Sequence, residues 1–320
     1  MLKNCRDLSI IIPARNEEFL RETVADILKN KRANTEIIVG CDGNWPDPGF
    51  DQHPDVILVY YPISIGQRAI ANRCVGLSSA KYIMKVDAHC AFDEGFDQKM
   101  IDAFKETGDD VAMVPNMRNL WVFDWKCYKC GLRVYQDKPN ICPTDGSQMR
   151  KKMLWHAKGS PNSTAYCFDP EPHFQYHGEQ KRKQTKDIDE TMSLQGSCFM
   201  CTRENYLKLN VCDESLGSWG SQGIEVACKF WLSGRRVLCN RKTWYAHCFR
   251  TKENFGFPYE ISGRQVQNAK KMVKDLFFNQ NWPRQVKPVS WLVEKFSPVP
   301  GWTPEILAEL KKTEALKTLK

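Results

Sequence analysis

The sequence predicts an α/β fold built on a parallel sheet, and three observations predict it. Short apolar runs rich in β-branched residues recur at positions 8–13, 36–40, 56–61 and 82–86. Stretches of helical spacing fall between several of them. Turn-forming residues punctuate their ends, as in Cys41-Asp42-Gly43-Asn44. Strands that alternate with helices in this way bring ligands to the carboxyl ends of the strands.

The first run, LSIIIP at 8–13, reads as a strand, and residues 14–28 carry helical spacing after it. The second strand, EIIVG at 36–40, stops at the turn that holds Asp42, and VILVYY at 56–61 is the third. Residues 66–77 read as a helix, and YIMKV at 82–86 as a fourth strand that runs directly into Asp87. Residues 121–186 break this rhythm: they are rich in Lys, Gln, Pro, Cys and aromatics with little periodicity, and they read as an irregular insertion. Patterning returns at 190–200 and again at 224–232, a helix closed by Ser233-Gly234. Beyond His247 the chain turns helical and basic to about Phe278, is then punctuated by prolines, and ends in a helix that begins at Pro304. Four segments follow: 1–120, 121–186, 187–258 and a helical extension over 259–320.

At 320 residues the chain buries a full core without needing disulfides. Its first residues show no charged segment followed by an apolar stretch and a cleavage site, and no run approaches the length of a membrane span. The expectation is a cytoplasmic protein that makes no membrane contact. Its fourteen cysteines then read as reduced thiols, several buried and a few bound to metal. A net charge of +8 suits a polyanionic acceptor, a nucleotide, or simply a basic solvated surface.

Asp87-Ala88-His89 stands where a buried strand stops, and strand alternation points Asp87 and His89 the same way. A carboxylate beside an imidazole suits a cation such as Mn²⁺ or Mg²⁺ that also takes diphosphate oxygens. The triplet alone is weak, because many such triplets are turns. Its context is what carries weight: strand, Asn16-Glu17, strand, Asp42, a helix with Gly66-Gln-Arg68 and Asn72-Arg73, strand, Asp87-Ala-His89. This order resembles the nucleotide-binding half of family-2-like GT-A glycosyltransferases, and the histidine variant resembles the polypeptide N-acetylgalactosaminyltransferases. The resemblance continues through Trp219-Gly-Ser-Gln-Gly-Ile-Glu225, Phe230-Trp-Leu-Ser-Gly234, Ala246-His-Cys-Phe-Arg250 and Phe257-Pro258, so it covers 8–116 and 190 to about 280.

The resemblance implies a GT-A fold and transfer of a sugar from a UDP-sugar. It makes Asp87, His89 and His247 the metal ligands, Asp42 a uridine contact and Arg250 the partner of the diphosphate. Pro13, Arg15, Asn16, Glu17, Gly66, Arg68 and Ala88 complete the expected donor contacts, and residues 251–258, with Gly256 as hinge, correspond to a loop that closes over the donor. The chemistry agrees: a leaving nucleoside diphosphate gains negative charge, which a divalent cation and a guanidinium stabilise.

Catalytic expectations centre on Trp219, Gln222, Glu225 and Arg250. Inverting relatives carry an acidic pair just before the helix of Glu225, whereas this chain has Gln222-Gly223, and neither can take a proton. The expectation is therefore a retaining transfer, with Asp189 or Glu190 as the candidate base should the enzyme invert. Trp219 either walls the sugar site or packs in the core.

Cys127-Tyr-Lys-Cys130-Gly131 is separated by eleven residues from Cys142-Pro-Thr-Asp145-Gly146, counted from Cys130 to Cys142. The pattern looks like a zinc ribbon with Asp145 in the fourth position, with His156 or Cys167 as alternative ligands for Zn²⁺. Cys198-Phe-Met-Cys201 reads as core. The family it resembles lacks this insertion, so its acceptor is not inherited. Basic runs at 150–153 and 179–186, interleaved with Trp155, Tyr166, Phe174 and Tyr176, suit a nucleic acid. The reading is a glycosyltransferase acting on hydroxyls, hydroxymethylated DNA bases among them. Its alternatives are a protein or glycan glycosyltransferase, a non-catalytic nucleic-acid-binding module on the same fold and, third, a nucleotidyltransferase. Sugar and oligomeric state stay open.

Overall fold

The computed structural model describes residues 6–47, 49, 51–136, 141–250, 256–257 and 261–318. Four strands form the parallel half of the sheet: β1 (Leu8–Ala14), β2 (Thr35–Asp42), β3 (Val56–Tyr61) and β4 (Tyr82–Val86). Helices α1 (Leu20–Asn30) and α2 (Gln67–Leu77) make the crossovers. After β4 come β5 (Cys90–Phe92), α3 (Phe96–Thr107), the long β6 (Val111–Lys126), β7 (Arg133–Tyr135) and β8 (Arg150–Ser163). Then follow β9 (Tyr166–Phe168), β10 (Phe174–Tyr176), α4 (Gly178–Lys183), β11 (Ile188–Glu190), β12 (Cys198–Thr202), α5 (Arg203–Lys208), α6 (Gln222–Leu232) and β13 (Arg236–His247). The chain closes with α7 (Gly263–Val273), continued by a wider π turn over Lys274–Phe278, then α8 (Val289–Lys295) and α9 (Pro304–Thr318).

The main sheet runs β11-β13-β6-β12-β4-β1-β2-β3 among the described residues. It is mixed rather than parallel throughout, which corrects the first expectation: β12 lies antiparallel between β4 and β6, and β11 is antiparallel to β13. The repeating strand–helix rhythm holds only through β4, and no helix of crossover length separates β11 from β12. Strands β1 and β4 are fully buried, so they read as continuous apolar runs. The first helix begins at Leu20 rather than near residue 14, because β1 extends to Ala14 and the chain then turns through Asn16 at φ 53°.

The expected irregular insertion is instead mostly a twisted ribbon. β6 crosses residue 120 without a break, β8 pairs back along it from Ser163 opposite Met117 to Arg150 opposite Lys126, and β7 adds to its end. Two register shifts in that pairing blur the alternation that would have marked the strands in the sequence. The ribbon's base packs on the loop after β1, where Phe19 meets Phe123 and Trp155 and the Trp155 indole N–H donates to Asp26. No helix among the described residues is long and apolar enough to cross a membrane. Cys198 and Cys201 lie in the core as expected, and burial pushes the Cys201 thiol well above its ordinary value.

One glycine fixes how α6 meets the sheet. A Cβ on Gly223 would lie 2.0 Å from the Leu194 carbonyl oxygen and 3.0 Å from the Gly196 nitrogen, both backbone atoms that cannot step aside. Gly223→Ala is therefore expected to cost about 3 kcal/mol or more through overpacking, read as a lower urea midpoint; an unchanged midpoint would mean that α6 is not seated this closely.

Candidate functional site

Asp87 and His89 occupy the short link between β4 and β5. The Asp87 N–H donates to the Ser197 carbonyl (2.8 Å), and β5 then pairs antiparallel with the end of β13, setting Cys90 opposite His247. The Cys248 N–H closes the arrangement on the His89 carbonyl (3.1 Å). Two strand ends that are 160 residues apart in sequence thus deliver their side chains to one point. The ligand atoms of Asp87, His89 and His247 all lie within 4.8 Å of one another, with the His247 Nε2 3.3 Å from the Asp87 carboxylate.

The electrostatics are strongly set. The buried Lys85 ammonium donates to the Asp87 carboxylate and to the Gly196 carbonyl (2.8 Å). Burial raises the Asp87 carboxyl, but Lys85 and then the two imidazoles outweigh it and hold the group well below the usual carboxylate range. Burial pushes the His247 imidazole down to about 4 against the pull of Asp87, so the ring is neutral at pH 7. Its Nδ1 is buried with no hydrogen-bond partner among the described residues. A neutral, partly unsatisfied imidazole beside an ionised carboxylate and a second imidazole is a donor set that fits a borderline divalent cation. Glu17 stands behind this group: one carboxylate oxygen meets the His89 Nδ1 at 3.2 Å and the Arg250 guanidinium at 2.9 Å. Burial opposes ionisation of Glu17, yet His89 and Arg250 together hold its carboxyl below the ordinary value.

Two clefts meet at this cluster. The first, about 600 Å³, runs over the ends of β1 and β2 and is lined by Pro13, Ala14, Arg15, Glu17, Asp42, Gly66 and Ala88. The second, about 1120 Å³, runs toward the start of α6 and is lined by Lys85, Gly196, Gln222, Phe249, Arg250 and Phe257. Asp87, His89, Gln67 and Trp219 line both. Trp219, left open between wall and core, is a wall. The Asp42 carboxylate accepts from the Ser64 hydroxyl (2.7 Å) and from the backbone N–H groups of Ile65 (2.6 Å) and Gly66 (3.0 Å), so it also shapes the loop that leads into α2.

Several expected site residues lie elsewhere. Arg68 and Glu225 do not line either cleft: they form a buried ion pair at 2.9 Å, and the Arg68 guanidinium also donates to the Gly217 and Gly220 carbonyls. The second oxygen of Glu225 takes the Lys229 ammonium (2.7 Å) and the Asp213 N–H (2.8 Å), which leaves no room for a reacting group. Asn16 borders a smaller hollow with Trp45 and Pro46 rather than either cleft. Asp189 caps the Thr185 and Lys186 N–H groups and Glu190 pairs with Lys295, both at the β11 edge of the sheet, so neither reaches the second cleft as a base. The Gln222 amide N–H donates to the Cys212 sulfur (3.3 Å) while its side chain borders the cleft. Of the expected closing loop, only Gly256 and Phe257 fall among the described residues.

Lys85 was not singled out from the sequence, although a signal was there. A lysine inside a short, fully buried strand demands a buried partner, and a carboxylate two residues on shares its face.

Residues 9–126 match the model of the glycosyl transferase family 2. A Drosophila melanogaster protein whose name makes it polypeptide N-acetylgalactosaminyltransferase 13 is 27% identical over 205 residues, 62% of this chain and 30% of its own length. Human polypeptide N-acetylgalactosaminyltransferase 3 is 26% identical over 304 residues, 87% of this chain and 44% of its own. The chain thus spans less than half the length of these curated relatives. A crystal structure of GalNAc-T7 with UDP, GalNAc and Mn²⁺ superposes over 99% of this chain and 55% of its own, with a TM-score of 0.61 at 15% identity. The mixed α/β fold is that of the GT-A glycosyltransferases.

Proposed function

We propose, from a glycosyl transferase family 2 match and a GT-A fold, that this chain is a divalent-metal-dependent glycosyltransferase that moves a sugar from a UDP-sugar to an acceptor hydroxyl with retention of configuration. The observation that carries the reading is the Asp87, His89 and His247 cluster at the junction of two clefts. The first cleft takes the nucleotide over the strand ends, and the second takes the sugar and the acceptor. A divalent ion held by the three side chains would neutralise the diphosphate as its charge grows. Arg250, now paired with Glu17, is the guanidinium that meets the diphosphate oxygens. Trp219 presents an apolar wall between the clefts.

Retention is the outcome that fits the side chains described around the second cleft. Among the described residues, Asp87 is the one carboxylate that lines the second cleft, and Lys85 and His247 already engage it. The bond from the anomeric carbon to phosphate oxygen breaks, the bond to the acceptor oxygen forms on the same face, and the acceptor proton passes to the leaving diphosphate. For the acceptor, the ribbon favours a polyanion. Lys126, Arg150, Lys151 and Lys158 stand over the rings of Tyr128, Trp125, Trp121 and Tyr135, interleaving charge with stacking faces. DNA bearing hydroxymethylated bases meets both requirements, whereas the relatives' names specify polypeptides.

The test is release of nucleoside diphosphate from a panel of UDP-sugars with Mn²⁺, with and without chelator, then with hydroxymethylated DNA or a Ser/Thr peptide added. Metal-dependent release is expected, and it should be stimulated severalfold by the DNA at low salt. Stimulation by the peptide alone would move the acceptor to protein. No donor cleavage or binding under any condition would overturn the transferase reading in favour of a nucleic-acid-binding module.

A further inference from the structure

We propose that the far end of the ribbon is a structural zinc site, in which Cys127, Cys130, Cys142 and Asp145 hold one Zn²⁺ independently of the cleft chemistry. The four ligand atoms lie within 4.8 Å of one another, and the Cys130 and Cys142 sulfurs are 3.5 Å apart. A tetrahedron with Zn–S bonds of about 2.3 Å has edges of about 3.8 Å, between these two values.

The backbone around the cluster repeats one device twice. Cys127 begins a turn in which Cys130 is the second ligand and the Gly131 N–H returns to the Cys127 carbonyl at 3.0 Å. Cys142 begins a matching turn in which Asp145 stands at the same offset and the Gly146 N–H returns to the Cys142 carbonyl at 2.9 Å. Both glycines have positive φ, 78° and 70°, a conformation that any side chain would resist. Each turn thus aims two ligand side chains at the same point. The Cys130 N–H lies 3.4 Å from the Cys127 sulfur, the contact that stabilises a thiolate in such a turn. Asp145 is oriented too: its Oδ1 accepts from the Ser147 N–H (2.9 Å) and hydroxyl (2.5 Å), which leaves Oδ2 facing Cys127 at 3.4 Å. A carboxylate fixed through one oxygen and presented through the other is arranged as a metal ligand with its supporting hydrogen bond.

Beyond the strand pairing at its base, the unit has little apolar core among the described residues. Its apolar core consists of Cys127, Cys142 and Met149, with Trp125, Leu132 and Val134 packed at the side, and it is separate from the main core. So few apolar groups do not order a unit of this size without a staple. A disulfide between Cys130 and Cys142 is the competing staple, but it leaves Cys127 and the oriented Asp145 without a purpose. His156 pairs along β8 with Trp121, and Cys167 is buried in β9, so neither of the alternative ligands joins the cluster.

Because Asp87, His89 and His247 could also take zinc, the test separates the two sites. Full-length protein produced with zinc is assayed for metal by mass spectrometry, as wild type and as the His89→Ala/His247→Ala double variant. One zinc per chain is expected to persist in the double variant. Cys142→Ser should lose it, and Asp145→Cys should keep it. Exchange of zinc for cobalt in the wild type supplies a measurement that does not depend on any variant folding: a thiolate-to-cobalt charge-transfer band with the visible bands of a tetrahedral ion is expected. Zinc that disappears with the two histidines, a cobalt spectrum without thiolate bands, or a Cys130–Cys142 disulfide in the mass spectrum of the native protein would each overturn the proposal.

Discussion

His247→Ala is expected to lower metal-dependent donor cleavage on the order of 10³-fold while the protein stays folded. The residue delivers one of three ligand atoms to a shared point, and it alone comes from the far half of the chain. Removing it leaves a carboxylate and one imidazole to hold a cation against the negative diphosphate. Transition-state stabilisation by a bound cation is worth several kcal/mol, and each ~1.4 kcal/mol is a factor of ten in rate. The structural cost is smaller. Nδ1 forms no hydrogen bond among the described residues, so the substitution strands the Nε2 contact to Asp87 and little else, and Lys85 continues to pair the carboxylate. The measurement is nucleoside diphosphate release across a Mn²⁺ titration, with circular dichroism to verify the fold. A variant that turns over within a few fold of wild type at every metal concentration would remove His247 from the site.

Glu225→Gln should act in the opposite sense, on stability before chemistry. Glu225 is fully buried, and its two oxygens hold the Arg68 guanidinium and the Lys229 ammonium. Taking away that charge leaves the buried Arg68 facing a neutral amide and Lys229 with the more distant Asp213 carboxylate at 3.8 Å. Breaking a buried pair in this way costs about 3–5 kcal/mol. The expected result is a melting temperature lower by on the order of 10 °C, with a matching drop in denaturant midpoint. Arg68 also ties down the carbonyls of Gly217 and Gly220, which flank Trp219, so residual folded protein should bind donor more weakly. Wild-type stability combined with complete loss of turnover would instead assign Glu225 to the chemistry, contrary to its enclosure.

These two residues also mark what the sequence could and could not convey. Asp87 and His89 were legible because a buried strand ends beside them, and period-two alternation sets both on one side. His247 and Arg250 were legible only through the ordered motifs of a resembling family, since nothing local distinguishes a histidine near a strand end from a core histidine. The Arg68–Glu225 pair was misread as site machinery: the residues stand 157 positions apart, and charge in a motif looks the same whether it faces a ligand or another side chain. The ribbon escaped notice because its two bulged registers hide the strand period, while its cysteine turns were visible, since they depend only on local spacing. The mixed sheet could not be inferred from strands and helices alone, because the direction of β12 is decided by pairing with β4 and β6, far away in the chain.

The side chains behind the cluster have a consequence for the order in which ligands arrive. Two carboxylates, Asp87 and Glu17, face two cations, Lys85 and Arg250, so their formal charges already cancel. A divalent ion entering alone would leave this largely buried cluster positive, and a nucleotide-sugar entering alone would leave it negative, each with a desolvation penalty that the pair together avoids. On the proposed function, metal and donor would therefore be thermodynamically linked: each would raise the affinity for the other by the same factor, with their neutral complex favoured over either component.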